Sequence, residues 1–166
     1  IDYIYHRYVF DFQEMTQFPK ELRQWLSDNC VISLPTLITE SISPDGKTRK
    51  ILLEMTDQSR VEAVLMEQHY GYSVCVSSQV GCAMGCVFCA STQGGLYRDL
   101  TVAEILGQVV IFGALTKEQI HSVVVMGAGE PLQNYDNVLQ ALQLLHDPVI
   151  CNISYRKMTI STCGWV

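Results

Sequence analysis

The sequence predicts an α/β fold: parallel strands joined by helical crossovers, preceded by a helical segment and a short antiparallel unit. Two observations carry this expectation. Residues 72–162 run through strand, helix, strand, helix and strand patterns in turn, an order that makes the strands parallel with right-handed crossovers. Residues 36–67 hold three β-branched, alternating runs around a strong hairpin signal, Asp45-Gly46, the mark of antiparallel pairing. The expected organisation is 1–35 helical, 36–67 antiparallel, and 68–166 the first part of a β/α barrel or of an open doubly wound sheet.

Taken in order, residues 1–30 read as helical, with Pro19 near the first turn of PKELRQWLSDN. Leu22, Trp25 and Leu26 fall on one helical face there. Strands are expected at 36–43, 48–56 and 60–67. YSVCVSSQ (72–79) reads as the next strand, and a Gly/Cys-rich loop runs from 80 to 100. Thr101 then caps a helix, with Glu104 completing a capping box. A short apolar strand at 121–126 leads into the loop GAGEP, a helix from Tyr135 to His146, and a third strand at 157–162. In either fold, binding sites form at the C-terminal ends of the strands. The unusual motifs here follow strands.

Hydrophobic residues make up 48% of the 166 and charged residues 17%, a balance that excludes a disordered chain. No apolar run approaches the ~18 residues that span a bilayer, so no membrane partner is expected. IDYIYHRYVF lacks the features of a secretory signal, and the expectation is a cytoplasmic protein. Net charge is −6, which weighs mildly against nucleic-acid binding. Lys47, Arg49, Lys50 and Arg60 nevertheless gather near one hairpin, either as a local basic face or as ordinary surface charge.

Seven cysteines are many for this length, and Cys82, Cys86 and Cys89 crowd into VGCAMGCVFCASTQGG with C-x3-C-x2-C spacing. Clustered thiols in a reducing compartment more often bind metal than form a disulfide framework. A [4Fe–4S] cluster normally takes four thiolates, so three close cysteines leave one iron open for a small molecule. Gly81, Gly85, Gly94 and Gly95 let the backbone wrap tightly. The alternatives are a structural zinc site, with Cys75 as a distant fourth ligand, and chance clustering of buried thiols.

This loop, following the first strand of a β/α pattern, resembles that of the radical S-adenosylmethionine superfamily. The stretches SVCVSSQVGCAMGCVFCASTQGGLYRDLTVAEILGQVV, MGAGEPLQNYDNVLQAL and KMTISTCG resemble the RlmN/Cfr family of RNA adenosine C-methyltransferases more closely. YHRYVFDFQEMTQFPKELRQWL is similar to that family's helical accessory domain. The resemblance implies a radical-SAM partial β/α barrel, here the end of the accessory domain and the barrel's N-terminal half. It implies a [4Fe–4S] cluster on Cys82, Cys86 and Cys89, and S-adenosylmethionine contacted by Gly129, Glu130 and Ser161. For Gly129 and Glu130 the plain alternative is a strand-to-helix turn, and for Ser161 an ordinary strand-end serine.

The resemblance also implies two residues for the chemistry. Cys75 matches a reactive, non-ligand cysteine that resolves a protein–RNA crosslink through a disulfide, after a separate C-terminal cysteine has been methylated. Such a role needs thiolate character and access; otherwise Cys75 is a small core residue. Glu62 matches a glutamate proposed as proton acceptor, or is a surface carboxylate. The implied partners are 23S rRNA, tRNA and a reducing electron donor such as flavodoxin. The implied product is a C2-methylated adenosine, with C8 methylation or a non-catalytic metal- or RNA-binding module as alternatives. The sequence departs from the family in having no methyl-carrying cysteine, for which Cys163 in ISTCG does not substitute, so these residues alone are not expected to complete methyl transfer.

Overall fold

The computed structural model describes residues 1–164, so the last two positions of the expected barrel segment lie outside the described residues. The N-terminal region is not one helix. A single turn, α1 (Asp2–Tyr5), gives way to a 3-10 turn at Phe12–Glu14, and α2 follows at Lys20–Asn29. The interruption has local causes. Tyr8 adopts a left-handed φ of 54°, and the Asp11 carboxylate accepts the Gln13 N–H at 2.8 Å, which turns the chain. α2 packs against that 3-10 turn rather than onto the sheet. Leu22 and Trp25 therefore stay exposed, and the amphipathic stripe read from the sequence does not face the core.

The strands are β1 (Thr36–Ile42), β2 (Thr48–Glu54), β3 (Arg60–Gln68) and β4 (Gly71–Val76). A short hairpin of β5 (Gln79–Gly81) and β6 (Leu96–Asp99) follows, then α3 (Val102–Thr116) and β7 (Ile120–Val125). The described chain closes with α4 (Tyr135–His146) and β8 (Met158–Ile160). Six strands form one sheet in the order β1-β2-β3-β4-β7-β8. β1 to β4 pair antiparallel in succession, and β4, β7 and β8 run parallel. The antiparallel unit is thus hydrogen-bonded edge to edge onto the parallel strands.

Burial explains the ordering. Val74, Val76, Val123 and Val125 of β4 and β7 are almost fully covered, as expected of parallel strands with a helix layer upon them. α3 is apolar nearly all round and buried from Ile105 to Gly113, while α4 turns only Val138, Ala141, Leu142 and Leu145 inward. The expected capping box is present. Thr101 Oγ1 accepts the Glu104 N–H at 3.3 Å, and the Glu104 carboxylate accepts the Thr101 N–H at 2.8 Å. That carboxylate also takes the Arg98 guanidinium at 2.8 Å. Arg98 reaches Asp57 in the β2–β3 turn as well, at 2.7 and 3.0 Å. One arginine so ties the strand returning from the cysteine loop to both neighbours.

The basic cluster of the sequence does not form a basic face. Arg49 pairs with Glu40 at 3.2 Å, Lys50 with Glu62 at 2.9 Å and Arg60 with Glu54 at 2.8 Å. The strand register decides this, because it places three of the four cations, all but Lys47, beside carboxylates of the same sheet.

Candidate functional site

The strand expected at 72–79 ends at Val76, because the next residues spend their polar groups elsewhere. Ser77 donates its N–H to Gln108 Oε1 at 2.8 Å, and its carbonyl accepts Gln108 Nε2 at 3.0 Å. Ser77 Oγ donates to the Glu62 carbonyl at 2.7 Å and accepts the Ala128 N–H at 2.9 Å. Asn134 donates to the carbonyls of Ser78 and Leu100, both at 2.8 Å. Ser77, Ser78, Gln79, Gln108 and Asn134 are all buried. This polar seam was not identified from the sequence. Its one visible signal is polar SSQ ending an apolar strand, joined by a lone glutamine inside the apolar helix α3.

Upon this seam sit two loops. The cysteine loop bulges from the β5–β6 hairpin, where the Cys82 N–H donates to the Gly95 carbonyl at 3.0 Å. The GAGEP loop follows β7. Gly129 has a φ of +105°, and a Cβ there would run into Gln79 and the Ser78 hydroxyl. Glycine is required here by packing on the seam, beside the contact to S-adenosylmethionine that the resemblance implies.

Cys82, Cys86 and Cys89 line one cavity of about 300 Å³ together with Gly129, Glu130 and Ser161. Six residues singled out from the sequence are thereby brought to one place. Among the described residues no three His, Cys, Asp or Glu side chains converge tightly enough to hold one ion. All seven cysteines are free of disulfides, and Cys75 does not line this cavity.

Glu130 is 3% exposed. Its Oε1 accepts the Thr162 hydroxyl at 2.6 Å and the Leu132 N–H at 3.0 Å, and its Oε2 accepts the Cys163 N–H at 2.9 Å. Burial alone would raise its pKa, but these donors outweigh it and hold the carboxyl at about 2. The carboxylate therefore also joins the loops after β7 and β8, a role that reading GAGEP as a cofactor motif did not anticipate. Ser161, at the end of β8, donates its N–H to the Val125 carbonyl at 3.3 Å.

A second cavity, of about 580 Å³, holds Glu62 and Cys75 and shares Cys89, Ser91, Met126 and Gly127 with the first. Glu62 is exposed and, among the described residues, pairs with Lys50 at 2.9 Å. Cys75 is half-buried; desolvation pushes its thiol above the ordinary value, and a backbone hydrogen bond at Met126 pulls less strongly the other way.

Comparison with known proteins agrees with this geometry. The radical SAM superfamily matches residues 76–166. The chain belongs to the radical SAM superfamily. As members of that superfamily use a [4Fe–4S] cluster and S-adenosylmethionine, the donor set fits: three thiols and a buried carboxylate line one cavity. Residues 1–32 match the ribosomal RNA large subunit methyltransferase N-terminal domain. The chain is 48% identical over 165 residues to a probable dual-specificity RNA methyltransferase RlmN of Clostridium perfringens, covering 99% of this chain and 48% of that protein. It is 49% identical to the protein of the same description in Symbiobacterium thermophilum, over 99% of this chain and 45% of the relative. The crystal structure of a radical SAM methyltransferase from Sphaerobacter thermophilus superposes with a TM-score of 0.91 at 36% identity, over 99% of this chain and 49% of that one. This radical SAM chain thus spans about half the length of the relatives it matches.

Proposed function

We propose that this chain is the cluster- and cofactor-binding part of an RlmN-type RNA methyltransferase, which methylates C2 of an adenosine in 23S rRNA and in tRNA through a methyl-cysteine intermediate. One observation carries the reading: the three thiols and the GAGEP loop share one cavity, and a second cavity with Glu62 and Cys75 opens directly beside it. The relatives' description as dual-specificity RNA methyltransferases supports two RNA classes as substrates.

Cys82, Cys86 and Cys89 would hold the cluster, and Gly129, Glu130 and Ser161 would contact S-adenosylmethionine. When bound, these groups supply reductive cleavage of a sulfonium and abstraction of a hydrogen atom. The remaining steps fall to side chains. Glu62 stands at the rim of the second cavity as a proton acceptor, its carboxylate oriented by Lys50. Cys75, on β4 just before the β5–β6 hairpin of the cysteine loop, would break the protein–RNA bond by forming a disulfide with the methyl-carrying cysteine. A low-potential donor such as flavodoxin would supply electrons. No helix among the described residues is long and apolar enough to cross a membrane, and we place the enzyme in the cytoplasm.

The test is reconstitution, without oxygen, of the protein that carries this chain. It should take up about four irons and four sulfides, and a C2-methylated adenosine should appear in 23S rRNA and tRNA by mass spectrometry. Stoichiometric zinc without sulfide, or methyl placed at C8, would overturn the metal or the positional part respectively.

A further inference from the structure

Gln79 stands three residues before Cys82 and is fully buried, at 0% exposure. A buried primary amide is costly unless both its oxygen and its nitrogen are satisfied. Here both are. Oε1 accepts the Glu130 N–H at 2.9 Å. Nε2 donates to Asp99 Oδ1 at 2.7 Å and to Gln133 Oε1 at 3.3 Å. The backbone N–H of Gln79 donates to the Ala128 carbonyl at 3.1 Å.

These partners belong to the two segments that carry the first cavity, the β5–β6 hairpin of the cysteine loop and the GAGEP loop with its following turn, and Glu130 itself lines the cavity. Asp99 ends β6, the strand returning from the cysteine loop. Ala128 and Glu130 belong to GAGEP, and Gln133 to the turn beyond it. One side chain thus links the hairpin to the GAGEP loop and the turn after it, and Gly129 leaves the room it needs. An apolar residue would fill the same volume without needing partners. A fully satisfied polar bridge instead specifies one relative arrangement of the pieces it joins.

We propose that Gln79 is a positioning residue: its amide sets the cysteine loop against the GAGEP loop, and thereby where GAGEP presents its groups to S-adenosylmethionine relative to the three thiols. The inference rests on the function proposed above. It predicts that Gln79 governs cofactor affinity without being a cluster ligand.

Three variants of the cluster-loaded protein decide it. Gln79→Leu removes all three side-chain hydrogen bonds. Gln79→Glu keeps an acceptor for the Glu130 N–H but sets a carboxylate against Asp99. Gln79→Glu combined with Asp99→Asn exchanges donor and acceptor at unchanged net charge and restores the bridge. The readouts are iron and sulfide per chain, the electron paramagnetic resonance spectrum of the reduced cluster with and without cofactor, and S-adenosylmethionine affinity by calorimetry. Both single variants should retain the cluster and its cofactor-free spectrum. Their affinity should fall about tenfold or more, the scale of one lost buried hydrogen bond, and their cofactor-induced spectral change should shrink. The exchange should recover most of both. Unchanged affinity in either cluster-loaded single variant would overturn the proposal. So would loss of cluster with normal affinity in the loaded fraction, or an exchange no better than Gln79→Glu. Should Gln79→Leu fail to fold, the comparison of Gln79→Glu with the exchange decides alone. Unmutated protein that binds neither cluster nor cofactor would instead remove the functional reading, and this inference with it.

Discussion

Glu130 and Glu62 line adjoining cavities, and their surroundings differ in every respect that governs a carboxylate. Glu130 is buried and accepts hydrogen bonds from three residues, two of them beyond β8. Glu62 has a side chain 57% exposed and one flexible lysine partner. The first arrangement is preorganised: the carboxylate is fixed before any ligand arrives, and cannot move without leaving donors unpaired. The second is adjustable and costs little to rearrange. The contrast fits the work proposed for each cavity. A small cofactor must be held in one pose, whereas a base within a large RNA must enter and leave.

The largest effect expected on this comparison comes from the thiols themselves. Replacing Cys82, Cys86 or Cys89 by Ala should abolish iron and sulfide uptake, and Cys75→Ala should leave both intact, as measured by metal and sulfide analysis. A requirement for Cys75 in metal binding would merge the two cavities into one site.

Cys75→Ala should instead act on turnover. A covalent protein–RNA adduct should accumulate, seen as a gel band removed by nuclease, while cofactor cleavage continues. Loss of stability should stay near ~1–2 kcal/mol, because the change is small in volume. Burial holds the Cys75 thiol above its ordinary 9.0. Adduct resolution should therefore keep rising as pH is raised toward that value, since the thiolate is the nucleophile. A pH-independent rate, or normal turnover without adduct, would reduce Cys75 to packing.

Glu130→Ala should weaken S-adenosylmethionine binding about ten- to a hundredfold, the scale of a lost charge-assisted hydrogen bond. It should also destabilise the fold by about 1–3 kcal/mol, because donors are left unpaired. The pH dependence has a definite sign. Its folded pKa, about 2, lies below the ordinary 4.5. The Glu130 contribution is therefore fully present above 4.5 and is lost as pH falls from there toward 2. Denaturant titration across that window should show a steeper decline than in the Ala variant, which keeps the other lowered carboxyls Asp45, Asp57 and Glu104.

The smallest structural effect belongs to Glu62. Glu62→Gln should change stability by less than about 0.5 kcal/mol, since exposed ion pairs contribute little. Methylation should nevertheless slow. A variant with full activity would leave Glu62 as the surface carboxylate that its exposure alone implies.

Much of the site was legible before folding was considered. The C-x3-C-x2-C spacing, GAGEP after an apolar strand, and Ser161 at a strand end all came together in one cavity. Less was legible in the helical region. The pattern at residues 1–30 omitted the left-handed Tyr8 and the Asp11 turn, which are matters of single-residue conformation rather than periodicity. Leu22 and Trp25 kept their helical spacing but not the burial it implied.

What the sequence by itself determined are features set within a few residues: strand alternation, the Thr101–Glu104 capping box, the Asp45-Gly46 turn and the placing of three thiols in one loop. Only the tertiary structure decided which distant groups meet. Ser77 finds Gln108 across 31 residues, and Gln79 finds Asp99 across 20 and Gln133 across 54. Strand register paired Arg49, Lys50 and Arg60 with carboxylates and so cancelled an apparent basic face. The physical reason is the reach of the forces. Backbone propensity and capping act within one or two turns, whereas a buried polar group must find its partner wherever packing has placed one.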